Sequence, residues 1–307
     1  MKANDISLKS KNSIKDSKED RVFGFIVDIL LIIIGVMTIF PLIFVLSASV
    51  SDPVMVNSGQ VLLLPKGFNL DGYKAVFENT WVLTGYRNSL IYTVAGTFLN
   101  VLVTFMAAYS LSRKDMYGHK IITIYMVFTM WFGGGLIPTF LVINKIGLVN
   151  RPIVMVILGL ISIYNCIICR SFISSSIPIE LQEAARIDGC NDFGILWKIV
   201  FPLSKPVLAI LCLYYALGHW NGYFNALIYL DNRNYQPLQI FLREILIENT
   251  RVTVDDSIDL EAMVRRTQMA QVMKYSLIVV ASLPMLAIYP FVQKFFVKGV
   301  MIGSIKG

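Results

Sequence analysis

Six stretches of the chain carry no Asp, Glu, Lys or Arg: 29–46, 88–112, 121–144, 152–169, 206–230 and 275–293. Each has 18 or more residues, and a helix needs about 20 mainly apolar residues to cross the hydrocarbon of a bilayer. Hydrocarbon holds no water to satisfy backbone N–H and C=O groups, so a spanning segment is either a helix or part of a closed barrel. Alternation at period two is absent from these stretches, which excludes the barrel. The pattern predicts an all-α polytopic membrane protein with six transmembrane helices, at about 23–46, 88–112, 121–144, 152–170, 206–230 and 275–296. An N-terminal tail (1–21) precedes the transmembrane domain (22–298), a C-terminal tail (299–307) follows it, and no internal repeat is visible.

Composition agrees with the pattern. The 307 residues are 56% hydrophobic and only 15% charged, below the charged fraction usual in soluble domains. The net charge of +7 invites a nucleic-acid reading, but the basic residues flank the apolar stretches, where the positive-inside rule accounts for them. With both termini in the cytosol, inside segments hold 16 Lys and Arg against 11 outside. The bias is clearest at the start, where Lys2, Lys9, Lys11, Lys15, Lys18 and Arg21 precede the first span. Residues 1–21 do not read as a secretory signal, being long and charged with both signs. Cys166 and Cys169 form a C-x-x-C, yet one helical turn apart inside an apolar stretch they read as packing residues and not as a metal or redox pair.

The polar gaps carry the local signals. Between the fourth and fifth stretches, Pro178 suits the first turn of a short helix. That helix is expected to run to about Asp188, with Gly189 as its left-handed cap. A second helix is expected to start with Asn191 or Asp192 as N-cap and to stop before Pro202. The third stretch holds Trp131-Phe132-Gly133-Gly134-Gly135-Leu136-Ile137-Pro138, which fits either a kink at a translocation path or close helix packing. The longest outside segment, Tyr229–Lys274, spans 46 residues with 6 basic and 7 acidic side chains. Leu238–Ile247 and Leu260–Met273 look helical within it, and its mixed-sign surface suits docking by an external partner.

Glu183-Ala184-Ala185, then Gly189, then Ile199-Val200-Phe201-Pro202 resembles the cytosolic coupling loop of ATP-binding-cassette importer permeases, with Phe201 in place of a leucine. The flanks Asn88-Ser89-Leu90 and Ala107 to Arg113, and the end Tyr289 to Gly307, resemble carbohydrate-importer permeases of the maltose G-subunit type. Trp131 to Pro138, Asn144 to Asn150 and Met273-Lys274-Tyr275 are nearer still to the Gram-positive Lpl/Ytc-type branch that works with sugar-binding lipoproteins. The likeness extends over nearly everything from Ser47 onward. It implies the type I importer permease fold with a cytosolic coupling helix, in which Glu183, Ala184, Ala185, Asp188 and Gly189 meet the ATPase. Small alanines let backbones approach, and a carboxylate at Glu183 suits a bidentate arginine on the partner. The likeness also puts Gly299, Gly303, Lys306 and Gly307 against the ATPase dimer. It implies a second homologous permease subunit and an extracellular sugar-binding lipoprotein, with a carbohydrate as substrate.

No G-x-x-x-x-G-K-[ST] cradle occurs in the chain, so ATP and its magnesium are expected in partner subunits and no cofactor in this one. The chain is therefore not expected to be an enzyme. A secondary transporter needs ionisable groups near the midplane, and His219 is the titratable candidate of that sort in the fifth stretch; a packed or helix-end histidine is the plainer account. A permease for a non-sugar solute remains the nearer alternative. For a sugar path, aromatic faces and amides are wanted: Trp131, Tyr164, Asn165, Trp220, Asn221, Tyr223 and Asn225 are the candidates, although Trp and Tyr also gather at membrane interfaces as anchors.

Overall fold

The computed structural model describes residues 17–113, 115–248 and 260–303. Every regular element among them is helical. α1 (Lys18–Ser49) opens on a capping box, in which Ser17 Oγ accepts from Asp20 N at 3.1 Å and Asp20 Oδ2 accepts from Ser17 N at 3.2 Å. Its most apolar 18-residue window has a mean hydropathy of 3.1 and no buried residue. Only the last turns of α1 pack, with Ala48 and Ser49 buried. The short α2 (Pro53–Asn57) and α3 (Asp71–Glu78) then lead to α4 (Thr80–Ser112), capped by Asn79 Oδ1 on the N–H groups of Trp81 and Val82.

The third stretch is not one straight helix. α5 (His119–Trp131) and α6 (Leu136–Lys145) meet at 113°. Gly135 has φ +83°, and nothing lies within 4 Å of the positions that β-carbons would take at Gly133 or Gly135. Close packing within this chain therefore does not explain those glycines; the bend does. The fourth stretch is also interrupted, as α7 (Val154–Ile157) and α8 (Ile163–Ser176).

After α8 come α9 (Ile179–Ile187) and α10 (Asp192–Ile195), which Asn191 caps by accepting from Gly194 N at 2.8 Å. The helical run does not stop before Pro202. A π turn over Leu196–Val200 carries it into α11 (Phe201–Leu203). A wider turn eases the clash between the proline ring and the carbonyl one turn back. The break comes at Ser204, followed at 82° by α12 (Lys205–Asn221). α13 (Phe224–Tyr229), a 3₁₀ turn at Arg233–Tyr235 and α14 (Leu238–Glu248) follow. α15 (Leu260–Gly303) runs for 44 residues, so the expected outer helix at 260–273 and the last apolar stretch are one helix. It also passes 296 and includes Gly299.

α4 is the centre of the packing, against α12 and α8 along most of its length. One buried cluster joins Phe105, Ala108, Tyr109 and Leu111 of α4 to Cys166, Cys169 and Ile173 of α8, Ala185 of α9 and Leu211 of α12. Cys166 and Cys169 thus pack as apolar residues. A second cluster, with Val76, Val82, Trp220, Leu238 and Leu277, binds α3, α4, α12, α14 and α15 at the other end.

Candidate functional site

The turn that ends α9 follows from its sequence. Gly189 adopts φ +83°, a backbone conformation that a β-carbon opposes. There Cys190 N reaches Ala185 O at 2.9 Å and Gly189 N reaches Arg186 O at 3.0 Å, the paired bonds of a Schellman motif that satisfy the last carbonyls of the helix. Ala185 faces inward into the cluster shared with α4 and α8. Glu183, Ala184, Asp188 and Gly189 are exposed, and beside them Ile187 is 87% and Phe193 63% exposed. A short helix is thus held by one alanine on its inner side and presents small, acidic and apolar groups outward. Glu183 also lines a cleft of about 230 Å³ with Ser112, Arg113, Asp115, Gln182 and Arg186.

A charge network beside this cleft was not singled out in the sequence. Arg113, just past α4, donates to Asp192 Oδ1 at 2.7 Å and to the Tyr109 hydroxyl at 3.2 Å, and pairs with Asp115. Arg186 of α9 reaches Asp192 at 3.0 Å and Asp115 at 3.6 Å. The Arg113 side chain is only 14% exposed. Its hydrogen bond to Asp115 raises its own pKa and holds the Asp115 carboxyl below the usual aspartate range. Four charges therefore join the end of α4, the following turn, α9 and α10. Residues 113 and 192 are 79 apart in sequence, and spacing alone cannot bring them together.

The sequence-derived path residues separate in space. Asn165 and Asn225 line one cavity of about 270 Å³ together with Asn100, Ser162, Tyr215 and His219. Trp220 does not reach it: that side chain is 1% exposed, donates from Nε1 to Ala281 O at 2.9 Å and packs edge-on against Tyr86. Trp131 is exposed at the α5–α6 bend, and Tyr164, Asn221 and Tyr223 are exposed away from the cavity lining. Asn100, Tyr215 and His219 were missed as lining residues. Asn100 is buried, donates to His219 Nε2 at 3.2 Å and leaves its Oδ1 without a partner. The Tyr215 hydroxyl meets Thr104 Oγ1 at 2.6 Å and accepts from Ser162 N at 3.0 Å. The available signal was the recurrence of polar residues at Thr93, Thr97, Asn100 and Thr104, one face of a helix inside an apolar stretch.

Residues 82–302 match the model of the binding-protein-dependent transport system inner membrane component family. The chain belongs to this family. It is 37% identical over 289 residues to the polygalacturonan/rhamnogalacturonan transport system permease protein YtcP of Bacillus subtilis, covering 94% of this chain and all of that one. It is 36% identical to the protein LplC of the same organism, over 96% of this chain and 99% of that one. A chain in the crystal structure of a bacterial ABC transporter involved in the import of the acidic polysaccharide alginate superposes with a TM-score of 0.84 at 33% identity, covering 92% of this chain and 99% of that one. Family membership makes this chain a membrane-embedded transport permease subunit.

The described residues Gly299 and Gly303 lie in the last turns of α15. Lys306 and Gly307, residues 1–16 of the N-terminal tail and residues 249–259 of the Tyr229–Lys274 segment lie outside the described residues.

Proposed function

We propose that this chain is one permease half of an ATP-driven importer that carries an oligosaccharide across the cell membrane. In this reading the six charge-free stretches are six spans, with breaks in the third, fourth and fifth, and both termini are cytosolic. Three described helices are long and apolar enough to cross alone, and two further bent pairs pass the same test when each pair is taken together. The fourth span, α7 with α8, rests on the charge-free run 152–169.

α9 is the coupling helix. The observation that carries this is its construction: inner attachment through Ala185, an outer face of Glu183, Ala184 and Ile187, and a left-handed Gly189 that fixes its exit. A separate ATPase dimer, which holds ATP and magnesium, grips that face, with Gly299, Gly303, Lys306 and Gly307 as a second contact. A homologous permease completes the channel, and an external sugar-binding lipoprotein docks on the Tyr229–Lys274 side. The cavity with Asn100, Asn165 and Asn225 lines the solute path; its lining residues carry amides, hydroxyls and a histidine but no Lys, Arg, Asp or Glu, a set suited to sugar hydroxyls.

Co-purification tests the reading. Removing one member of a desolvated charge pair at an interface costs about 2–5 kcal/mol, so Glu183→Ala is expected to lower ATPase attachment and sugar uptake together. Sugar binding by the isolated external protein stays unchanged. Wild-type attachment and uptake in Glu183→Ala defeat the assignment of α9.

A further inference from the structure

Among the described residues, α4 is the one helix long and apolar enough to span a membrane that has neither a break nor an internal proline. α1 contains Pro41, α15 contains Pro284 and Pro290, and the other apolar stretches are divided. With 33 residues, α4 reaches roughly 50 Å at the rise of an α-helix. Its two glycines are seats and not hinges. A β-carbon at Gly85 would stand 2.6 Å from the Phe241 ring, and one at Gly96 would stand 2.4 Å from His219.

Both ends of this rod are tied by polar side chains to segments distant in sequence. At the outer end Asn88 Nδ2 donates to the carbonyls of Asn234 (2.7 Å) and Gln236 (3.0 Å). The Tyr92 hydroxyl donates to Tyr235 O at 2.8 Å, and Ser89 Oγ accepts from Leu238 N at 2.9 Å. Asn88, Ser89 and Tyr92 are buried. At the other end Arg113 meets Asp192 and Asp115, while Arg186 of α9 joins the same two carboxylates. Arginine suits that place because one planar guanidinium serves Tyr109, Asp115 and Asp192 at once, which a lysine ammonium does not do with fixed geometry. The helices covalently joined to the α9–α10 region follow a less direct route: α8 lies beyond Ile177 and Pro178, and α12 lies beyond an 82° bend at Ser204.

We propose that α4 is the rod through which α9 and the outer segment 233–238 move as one body, with Arg113 and Asn88 as the positioning residues at its ends. The proposal rests on the reading of α9 as the helix gripped by the ATPases. Coupling between distant sites can be carried by a rigid element and the polar networks at its ends, and α4 is tied by such networks to both segments.

Spin labels and a fluorophore test it in the whole importer in proteoliposomes, with Mg-ATP and vanadate as the probe that closes the ATPases and no sugar required. In the otherwise native chain, labels at Ser110 of α4 and Glu180 of α9, both exposed, are expected to keep the same separation with and without vanadate-trapped nucleotide. A change in that separation overturns the proposal, and this arm needs no disruptive variant. An environment-sensitive fluorophore at Asp231 then reports the outer segment. Its nucleotide-driven response, per ATPase retained, is expected to fall by about fivefold or more in Arg113→Gln and in Asn88→Ala, the low end of a coupling between two sites. Arg113→Lys, which keeps the charge, is expected to recover part of it. A full response in either Arg113→Gln or Asn88→Ala overturns the proposal. Failure of the underlying reading looks different: the ATPases then remain attached to the Glu183→Ala chain, whatever the labels report.

Discussion

Gly189 and Gly96 are both glycines for which a side chain is costly, for opposite reasons. Nothing lies within 4 Å of a β-carbon at Gly189, whose φ is +83°, so backbone strain alone opposes substitution. Gly189→Val is expected to cost about 1–2 kcal/mol, the penalty of the left-handed region for a residue with a β-carbon, and Gly189→Asn less, because asparagine tolerates that region. The thermal midpoints of the purified variants rank them; a Val variant no less stable than the Asn variant contradicts the strain account. Gly189 was legible in the sequence because it follows a helix with a defined start. Arg113 was not, because its value comes from Asp192 and Asp115, which only folding brings near. The same network has a defined pH response. Arg113 holds Asp115 below its ordinary pKa, so this link is fully present above the unfolded aspartate value and is lost only as pH falls through the lower folded value. Melting curves are therefore expected to show no contribution from Asp115 to pH dependence above about pH 5, since an unfolded aspartate titrates near 4. An Asp115→Asn chain that differs from wild type by a pH-dependent amount between pH 6 and 8 contradicts this.

For helices the charge-free stretches mark the apolar segments and leave open how the backbone travels through them. A run without charges states that a segment avoids water; it does not state whether the segment is one helix or two. The third, fourth and fifth stretches are each divided, at 132–135, 158–162 and 222–223, and glycine lies in every one of those breaks. Yet glycine also occurs inside the unbroken α4, at Gly85 and Gly96, where it admits Phe241 and His219. The residue type is the same and the partner decides its use, so a single sequence cannot tell a hinge from a seat. The seat at Gly96 is testable by exchange of volume between α4 and α12. Gly96→Ala sets a methyl 2.4 Å from the His219 ring, and overpacking of this kind costs about 1–3 kcal/mol. Adding His219→Ala removes the ring and is expected to make Gly96→Ala nearly neutral in that background. A double-mutant cycle on thermal stability reads the coupling; additive effects mean that the two positions do not meet.

At the scale of the molecule, the charge network and Asn88 lie at opposite ends of α4, and membrane orientation gives those ends their meaning. The proposed reading puts the Arg113 end in the cytosol, in keeping with a positive-inside bias of 16 against 11 basic residues. A chain in which Cys166, Cys169, Cys190 and Cys212 are replaced by alanine gives a clean background for labelling. Single cysteines then go to Ser174 at the end of α8 and to Asp231, two residues before the outer segment 233–238, both exposed. In intact cells an impermeant thiol reagent is expected to modify the cysteine at 231 and to leave the one at 174 unmodified until the membrane is opened. The reverse pattern inverts the molecule and removes α9 from reach of any cytosolic ATPase. Labelling of both positions from outside means that an odd number of spans no longer separates them, which contradicts the six-span topology while leaving the family membership intact. Only the first pattern sets the polar ties of α4 on the two sides of the membrane, which is the arrangement a rod between ATPase and binding protein requires.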